Sequence, residues 1–225
     1  MKRIRFKEID STALYALRNI DNFNEDTLIS AEYQSNGIGS KKRDYISYNE
    51  CGLYLNLILV DGCKQNIMFI VSVALVEVLR KYNKNINIKW INDLMYQDKK
   101  VGGILVHQKN NKLSIGIGLN LYEPTKGYGS LNSKVTYLFK KEINKDILIS
   151  EIISTIYFYI NTKEDVKSKY LDYARLEKDI IKVNNEVVEF ISLQDDGRIL
   201  VGDRNTTYLV DDIRYDVRVG DYYEN

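Results

Sequence analysis

INIKWINDLMYQDKKVGGILVHQKNNKLSIGIGLNL, residues 86 to 121, is the stretch whose reading decides the fold. Leu113, Ile115, Ile117, Leu119 and Leu121 recur at strict period two, the signature of one face of a strand. Ile86, Ile88 and Trp90 alternate in the same way, and GGILVHQ lies between the two runs. These are three strands of one sheet, the first two expected to form a hairpin joined around Gln97 to Lys100. Just upstream, IMFIVSVALVEVLRKYN, 67 to 83, is too long for a typical strand, and its apolar positions 67, 70, 71, 74, 75, 78 and 79 describe the stripe of a buried helix. LISAEYQ (28 to 34) and GLYLNLILV (52 to 60) read as strands, and TALYALR (12 to 18) as a short helix capped by Ser11 or Asp10. Downstream, 147 to 160 and 166 to 176 fit two helices, and VVEFISL, RILVG and TYLVDD fit three short strands separated by the turn signals QDDG and DRNT. The pattern is an α+β body over residues 1–176, with a mixed sheet flanked by helices, and a small all-β unit over 177–225. Pro124 is the sole proline and no Gly/Ser-rich linker intervenes, so the small unit is expected to pack on the body.

Composition removes several classes of function. With 225 residues, 44% of them hydrophobic, the chain can build a real core. Its formal net charge of +1 gives no global attraction to nucleic acid or to an anionic membrane. No window reaches the ~18 apolar residues of a membrane helix, and the basic start MKRIRFKEIDST lacks an apolar signal region, so a cytoplasmic protein is expected. Cys51 and Cys63 with one histidine support neither a disulfide framework nor a Cys/His metal site.

Several segments can carry chemistry, each beside a plainer reading. Gly102-Gly103 allows a flat ligand close to the backbone, or is a bulge or tight bend. Lys89 points opposite to Ile88 and Trp90, so it faces solvent or a polar site on the sheet. Asn120, ending an apolar strand, can donate to and accept from a ligand or cap its own turn. SNGIGSKKRDY, 35 to 45, sets two glycines before three basic residues, as either a phosphate-closing loop or a solvated turn.

Taken in order, DST (10 to 12), AEYQ with the following glycines and Arg43 (31 to 43), GLY (52 to 54), KW.ND (89 to 93), KVGGILV (100 to 106) and GIGLNL (116 to 121) resemble the successive segments of the biotin protein ligase family. The resemblance implies a class II synthetase-like catalytic domain with a small SH3-like C-terminal β-barrel. It also implies an ATP-dependent biotin–[acetyl-CoA-carboxylase] ligase, which makes biotinyl-5'-adenylate and passes biotin to a lysine of a biotin carboxyl carrier domain. By this resemblance Ser11, Thr12, Gln34, Gly37, Gly102 and Gly103 bind biotin, and Lys89 stands near its carboxylate and the α-phosphate. Arg43, Tyr45, Lys89, Asn92 and Asn120 face ATP or the adenylate, with Lys89 and Arg43 catalytic and Mg²⁺ arriving on ATP. Asp93 is either a cation-site carboxylate or an orienter of its neighbours. Family analogy and sheet edges allow a homodimer. The DST segment begins at residue 10, which is read as leaving no room for a DNA-binding domain ahead of it, so no nucleic-acid partner is expected.

The chain departs from the family in the loop itself. The family pattern G-R-G-R-x-G-R, followed by a basic residue and Trp, is here Gly37 to Tyr45 with Ile38 and Ser40 in place of two arginines. Lys41 and Lys42 restore charge without the planar fork of arginine. Each lost charge-assisted bond weakens retention of the intermediate by roughly tenfold to a hundredfold. Ile91 in place of the family proline mainly relaxes a backbone constraint. A ligase with a leaky lid, a biotin-binding protein with impaired adenylation, and a lipoate ligase-like acyltransferase all stay open at this point.

Overall fold

The alternation of large and small residues from Leu113 to Gly118 gives the central strand two different faces. Leu113, Ile115, Ile117 and Leu119 are buried against helices, while Ser114, Gly116 and Gly118 turn the other way. The structure, a computed structural model, describes residues 1–40, 43–63, 65–162, 164–174, 176, 181–183, 186–202, 206–210, 213–216 and 221–224. Among these, seven strands form the main sheet: β1 (Lys2–Ile9), β2 (Thr27–Gln34), β3 (Gly52–Leu59), β4 (Ile86–Lys89), β5 (Asp93–Tyr96), β6 (Lys99–Lys109) and β7 (Lys112–Asn120). Their order is β1-β2-β3-β7-β6-β5-β4, with β1 parallel to β2 and the other neighbours antiparallel.

Among the described residues four α-helices cover this sheet: α1 (Thr12–Asn19), α2 (Ile67–Arg80), α3 (Lys145–Asn161) and α4 (Val166–Ala174). α2 is apolar nearly all round because it is covered on both sides, by the sheet and by α3 with α4. Its N-terminus is fixed by Asn66, whose Oδ1 accepts from Met68 N–H at 3.0 Å. On the opposite face α1 closes a smaller cluster of Ala16, Phe23, Ile29 and Ile58. No described helix is long and apolar enough to cross a membrane.

A second, six-stranded sheet holds β8 (Ile181–Val183), β9 (Glu186–Leu193), β10 (Ile199–Gly202), β11 (Thr207–Val210), β12 (Ile213–Asp216) and β13 (Asp221–Glu224), ordered β11-β10-β9-β8-β13-β12 among the described residues. Its Ile181, Val188, Leu193, Ile199, Val201 and Val210 join the main hydrophobic core, so the small sheet is packed on the body.

Two expectations need correction. The hairpin expected between Ile86–Trp90 and the strand at Gly102 is instead two: Asp93–Tyr96 forms β5, which pairs with β4 on one side and, through the turn at Gln97-Asp98, with β6 on the other. Both turn residues have positive φ, 50° and 58°, which suits a two-residue hairpin with the twist of its strands. The tail adds β8, β12 and β13 to the three strands foreseen, and the charged start is the edge strand β1.

Candidate active site

Strand register places one row of residues across a single face of the main sheet. Lys89 on β4 is paired with Asp93, Asp93 with Gly103, Gly103 with Gly118, and Gly118 with Tyr54 on β3. Next to Gly118, Gly116 stands opposite Leu105 and Asn56. Three glycines on one face leave a floor with no side chains of its own, and between it and the Tyr45 ring lies a cavity of about 50 Å³.

One end of the cavity is polar and uncharged. Ser11 caps α1, its Oγ accepting from Leu14 N–H at 3.4 Å. Thr12 donates from both its N–H (2.8 Å) and its Oγ1 (3.0 Å) to Oε1 of Gln34. Gln34 is itself held through its backbone, its N–H donating to Ser47 Oγ at 2.9 Å and its carbonyl accepting from that hydroxyl at 2.6 Å. With Oε1 occupied twice, the amide nitrogen turns toward Gly37, where a Cβ would stand 3.1 Å from it. Buried hydroxyls and an amide fixed in this way can read a ligand that both donates and accepts.

Residues 37–40 and 43–45 pair with each other, and Ile38, Gly39 and Ser40 roof the cavity. Tyr45 N–H donates to Gly37 O at 2.8 Å, Gly39 N–H to Arg43 O at 2.7 Å, and Ile38 bridges Asp44. Lys41 and Lys42 lie outside the described residues. The Arg43 guanidinium folds back on Ser40, donating from Nη2 to Oγ at 2.8 Å and from Nε to the carbonyl at 3.3 Å. Tyr45 extends inward, with its Cζ 2.5 Å from where a Cβ on Gly118 would stand, and meets Tyr54 edge-on at 6.2 Å. Its hydroxyl is buried without a partner among the described residues, and that burial pushes its pKa well above the usual phenol value.

The other end is charged. Burial, more than any other influence, holds the Lys89 ammonium below the usual lysine pKa; Asp93 opposes this, while Lys100 and Arg43 add to it. Asp93 and Lys100 are ion-paired at 2.6 Å and both line the cavity, whereas Lys89 stands one strand beyond that lining. Asn92 fastens the segment to β6, its Nδ2 donating to Ile104 O at 2.7 Å and its own carbonyl accepting from Ile104 N–H at 2.9 Å. The small sheet and α4 hold the same segment from behind: Trp90 Nε1 donates to Gly197 O at 3.0 Å and Tyr170 Oη to Ile91 O at 2.8 Å.

Ser11, Thr12, Gln34, Tyr45, Asn92, Asp93 and Gly103 therefore meet at one cavity. Five residues singled out in the sequence are not in its lining: Gly37 and Arg43 belong to the roof segment, Lys89 stands one strand beyond, and Gly102 and Asn120 turn elsewhere. Gly102 faces the helices, where its Cβ would meet Gly118 O and Leu119 Cδ2, each at 2.6 Å. Asn120 donates to Thr136 O at 3.2 Å and anchors a loop beside the site. Sequence reasoning passed over Gly116, Gly118 and Lys100. The small residues at every second position of β7 were the available signal for the first two.

Laid beside solved structures, this architecture is the fold of biotin protein ligases. The Aquifex aeolicus biotin protein ligase in complex with biotin and ATP superposes with a TM-score of 0.76 at 20% identity, covering 93% of this chain and 95% of that one. The Helicobacter pylori biotin acetyl coenzyme A carboxylase synthetase with bound biotinylated ATP gives 0.71 at 25% identity, covering 93% and 99%. In sequence, the bifunctional ligase/repressor BirA of Escherichia coli K12 is 33% identical over 123 residues, 50% of this chain and 38% of that protein. The chain thus matches well under half the length of that relative. The profile of the biotin/lipoate A/B protein ligase family matches residues 5–121, just over half of the chain, and the protein belongs to that family.

Proposed function

We propose that the protein is a biotin protein ligase of the biotin–[acetyl-CoA-carboxylase] type. The observation that carries this reading is the division of one glycine-floored cavity into an uncharged hydrogen-bonding end, Ser11, Thr12 and Gln34, and a cationic end at Asp93, Lys100 and the adjoining Lys89. A ligand with a ureido ring at one end and a carboxylate at the other matches that polarity. Family membership and the biotin- and ATP-bound relatives support it.

In the first step a biotin carboxylate oxygen attacks the α-phosphorus of ATP and the bond to pyrophosphate breaks. Negative charge gathers around the phosphorus, and Lys89, desolvated on its strand, offsets that charge more strongly than an exposed lysine would. In the second step a carrier lysine amine attacks the acyl carbon, AMP leaves, and the amine loses its proton. The adenylate must be kept from water in between, and the paired segments 37–40 and 43–45 are suited to this as a lid. Arg43 is the lid's candidate cation and Tyr45 its inner wall. We assign catalysis and ligand binding to residues 1–176 and a supporting, SH3-like role to 177–225. Mg²⁺ would enter on the triphosphate. The carrier domain, the cytoplasmic setting and a homodimer belong to the same proposal.

Mass spectrometry of an acceptor biotinyl domain and of a bystander protein, after incubation with biotin and Mg-ATP, tests the reading. One biotin on the acceptor is expected. Labelling of both proteins would assign a leaky lid, and labelling of neither, with biotin binding retained, would contradict the reading in favour of a binding protein. Lipoate on the acceptor in a parallel reaction, without biotin transfer, would replace the substrate.

A further inference from the structure

β7 carries the cavity face past the floor to a lysine. Gly118, Gly116 and Ser114 share that face, and Lys112 is the next residue on it. Across the turn at Asn110-Asn111 it stands directly opposite Lys109. Like charges paired in this way repel, so each ammonium gains from an acceptor of its own. Lys109 Nζ pairs with the Asp21 carboxylate at 2.5 Å, both side chains being exposed. The half-buried Lys112 instead donates from Nζ to three backbone carbonyls, Phe23 O at 2.5 Å and Ile20 O and Asp21 O at 3.2 Å each. These oxygens belong to the 3₁₀ turn Ile20–Asn22, which continues α1, and to the residue after it. An ammonium has three donors, and here all of them are spent at the negative end of one helix.

The opposite end of α1 is the uncharged end of the cavity, where Thr12 N–H and Oγ1 meet Gln34 Oε1. Between the two ends the helix has little apolar hold on the sheet. The buried residues among its eight are Thr12, Ala13 and Ala16, and the larger Ile20 and Phe23 are buried only beyond its last turn. Alanine side chains are too short to interlock with a strand surface and stop a helix from sliding along its axis. Polar contacts at its two ends therefore set where α1 sits, with Gln34 at the N-terminus and Lys112 at the C-terminus. A slip of about 1 Å, less than the ~1.5 Å rise of one residue, lengthens the 2.8 Å bond from Thr12 N–H beyond hydrogen-bond range.

We propose that Lys112 is a positioning residue for the biotin end of the site, acting through α1 to hold Ser11 and Thr12 in place against Gln34. The choice of biotin as the ligand rests on the ligase reading above. The test is Lys112→Met and Lys112→Arg, with Lys109→Met as a control, in amide hydrogen exchange of the free protein, calorimetric binding of biotin and of Mg-ATP, and pyrophosphate release. In Lys112→Met the Thr12 amide should exchange about tenfold faster while amides of α2 keep their rates, and biotin should bind about tenfold more weakly. KM for biotin rises in step, while KM for ATP and kcat at saturating biotin stay within about twofold. Lys112→Arg keeps a cationic donor and restores most of the biotin affinity, and Lys109→Met, which loses an exposed ion pair, behaves as the unaltered protein. Unchanged Thr12 exchange in Lys112→Met, or biotin affinity within about twofold of the unaltered protein, overturns the proposal, as does an equal loss of biotin and ATP affinity with faster exchange throughout the fold. If the unaltered protein binds no biotin and releases no pyrophosphate, the ligase reading fails, while exchange at Thr12 still decides whether Lys112 positions α1.

Discussion

Gly102 and Gly103 are adjacent and chemically identical, yet the structure gives their methyl substitutions opposite consequences. A Cβ on Gly102 would lie 2.6 Å from the Gly118 carbonyl oxygen and 2.6 Å from Leu119 Cδ2. Ordinary contact begins near 3.4 Å, so β6 and β7 would have to part by roughly 0.8 Å within a sheet whose strands sit about 4.8 Å apart. A backbone oxygen in a ladder cannot swing aside as a side chain can. Overpacking of this kind costs about 1–3 kcal/mol, which for a chain of this size lowers Tm by about 2–12 °C. A Cβ on Gly103 would instead meet Lys100 Nζ at 3.2 Å and Asp93 Oδ1 at 3.3 Å, the ends of side chains that can yield by a few tenths of an ångström. Replacing a strand glycine by alanine also recovers roughly 0.5–1 kcal/mol of chain entropy. Gly103→Ala should therefore melt within ~2 °C of the unaltered protein, while its methyl raises the cavity floor and weakens biotin binding. Thermal melts and biotin calorimetry on the two variants separate these effects. The reasoning is refuted if Gly102→Ala is as stable as the parent, or if Gly103→Ala is the less stable of the two with biotin affinity intact.

Three further expectations concern the surroundings of the cavity. Trp90→Phe removes the indole donor and leaves the Gly197 carbonyl unpaired, a loss of about 1–3 kcal/mol; hydrogen exchange should quicken around Gln194 to Arg198, and unchanged exchange there would argue against the clamp. His107 has a buried Nδ1 with no partner among the described residues, and burial holds its pKa below the usual value of 6.5. The neutral ring is thus favoured in the folded state, so its contribution to stability is complete above pH 6.5 and is lost as pH falls through the lower folded value. Urea titrations at descending pH should show that decline, and His107→Leu should flatten it; an identical decline in the variant would assign it to other groups. Ser40→Ala removes the hydroxyl that holds Arg43 and, being on an exposed hairpin, should change stability by no more than ~0.5 kcal/mol. Its effect should instead be more labelling of bystander lysines by escaped adenylate, and equal labelling would show that Ser40 does not position Arg43.

The period-two run of β7 and the apolar stripe of α2 were legible because each buries a continuous face, and burial leaves a pattern in sequence. Ser11, Thr12 and Gln34 stood out as site residues only through their likeness to a family, and the alternation at Lys89 left solvent and a polar site both open, since nothing in a short polar segment says that it will meet another across the sheet. β5 escaped notice because it is four residues long and begins with Asp93. β1 was hidden by Lys2, Arg3, Arg5, Lys7 and Glu8, charges that suit an edge strand but mask its alternation. Lys100 could not be found by periodicity at all, because the bulge at Val101 changes which residues share a face. The two glycines of one dipeptide serve different ends because successive strand residues face opposite sides of the sheet.

The central claim is that the cationic end at Lys89 activates a carboxylate held at the other end by Ser11, Thr12 and Gln34. Release of pyrophosphate from Mg-ATP, followed with and without biotin in the unaltered protein and in Lys89→Met, tests it most directly. The account predicts biotin-dependent release that Lys89→Met abolishes while still binding biotin. Release independent of biotin, or undiminished in Lys89→Met, would contradict it.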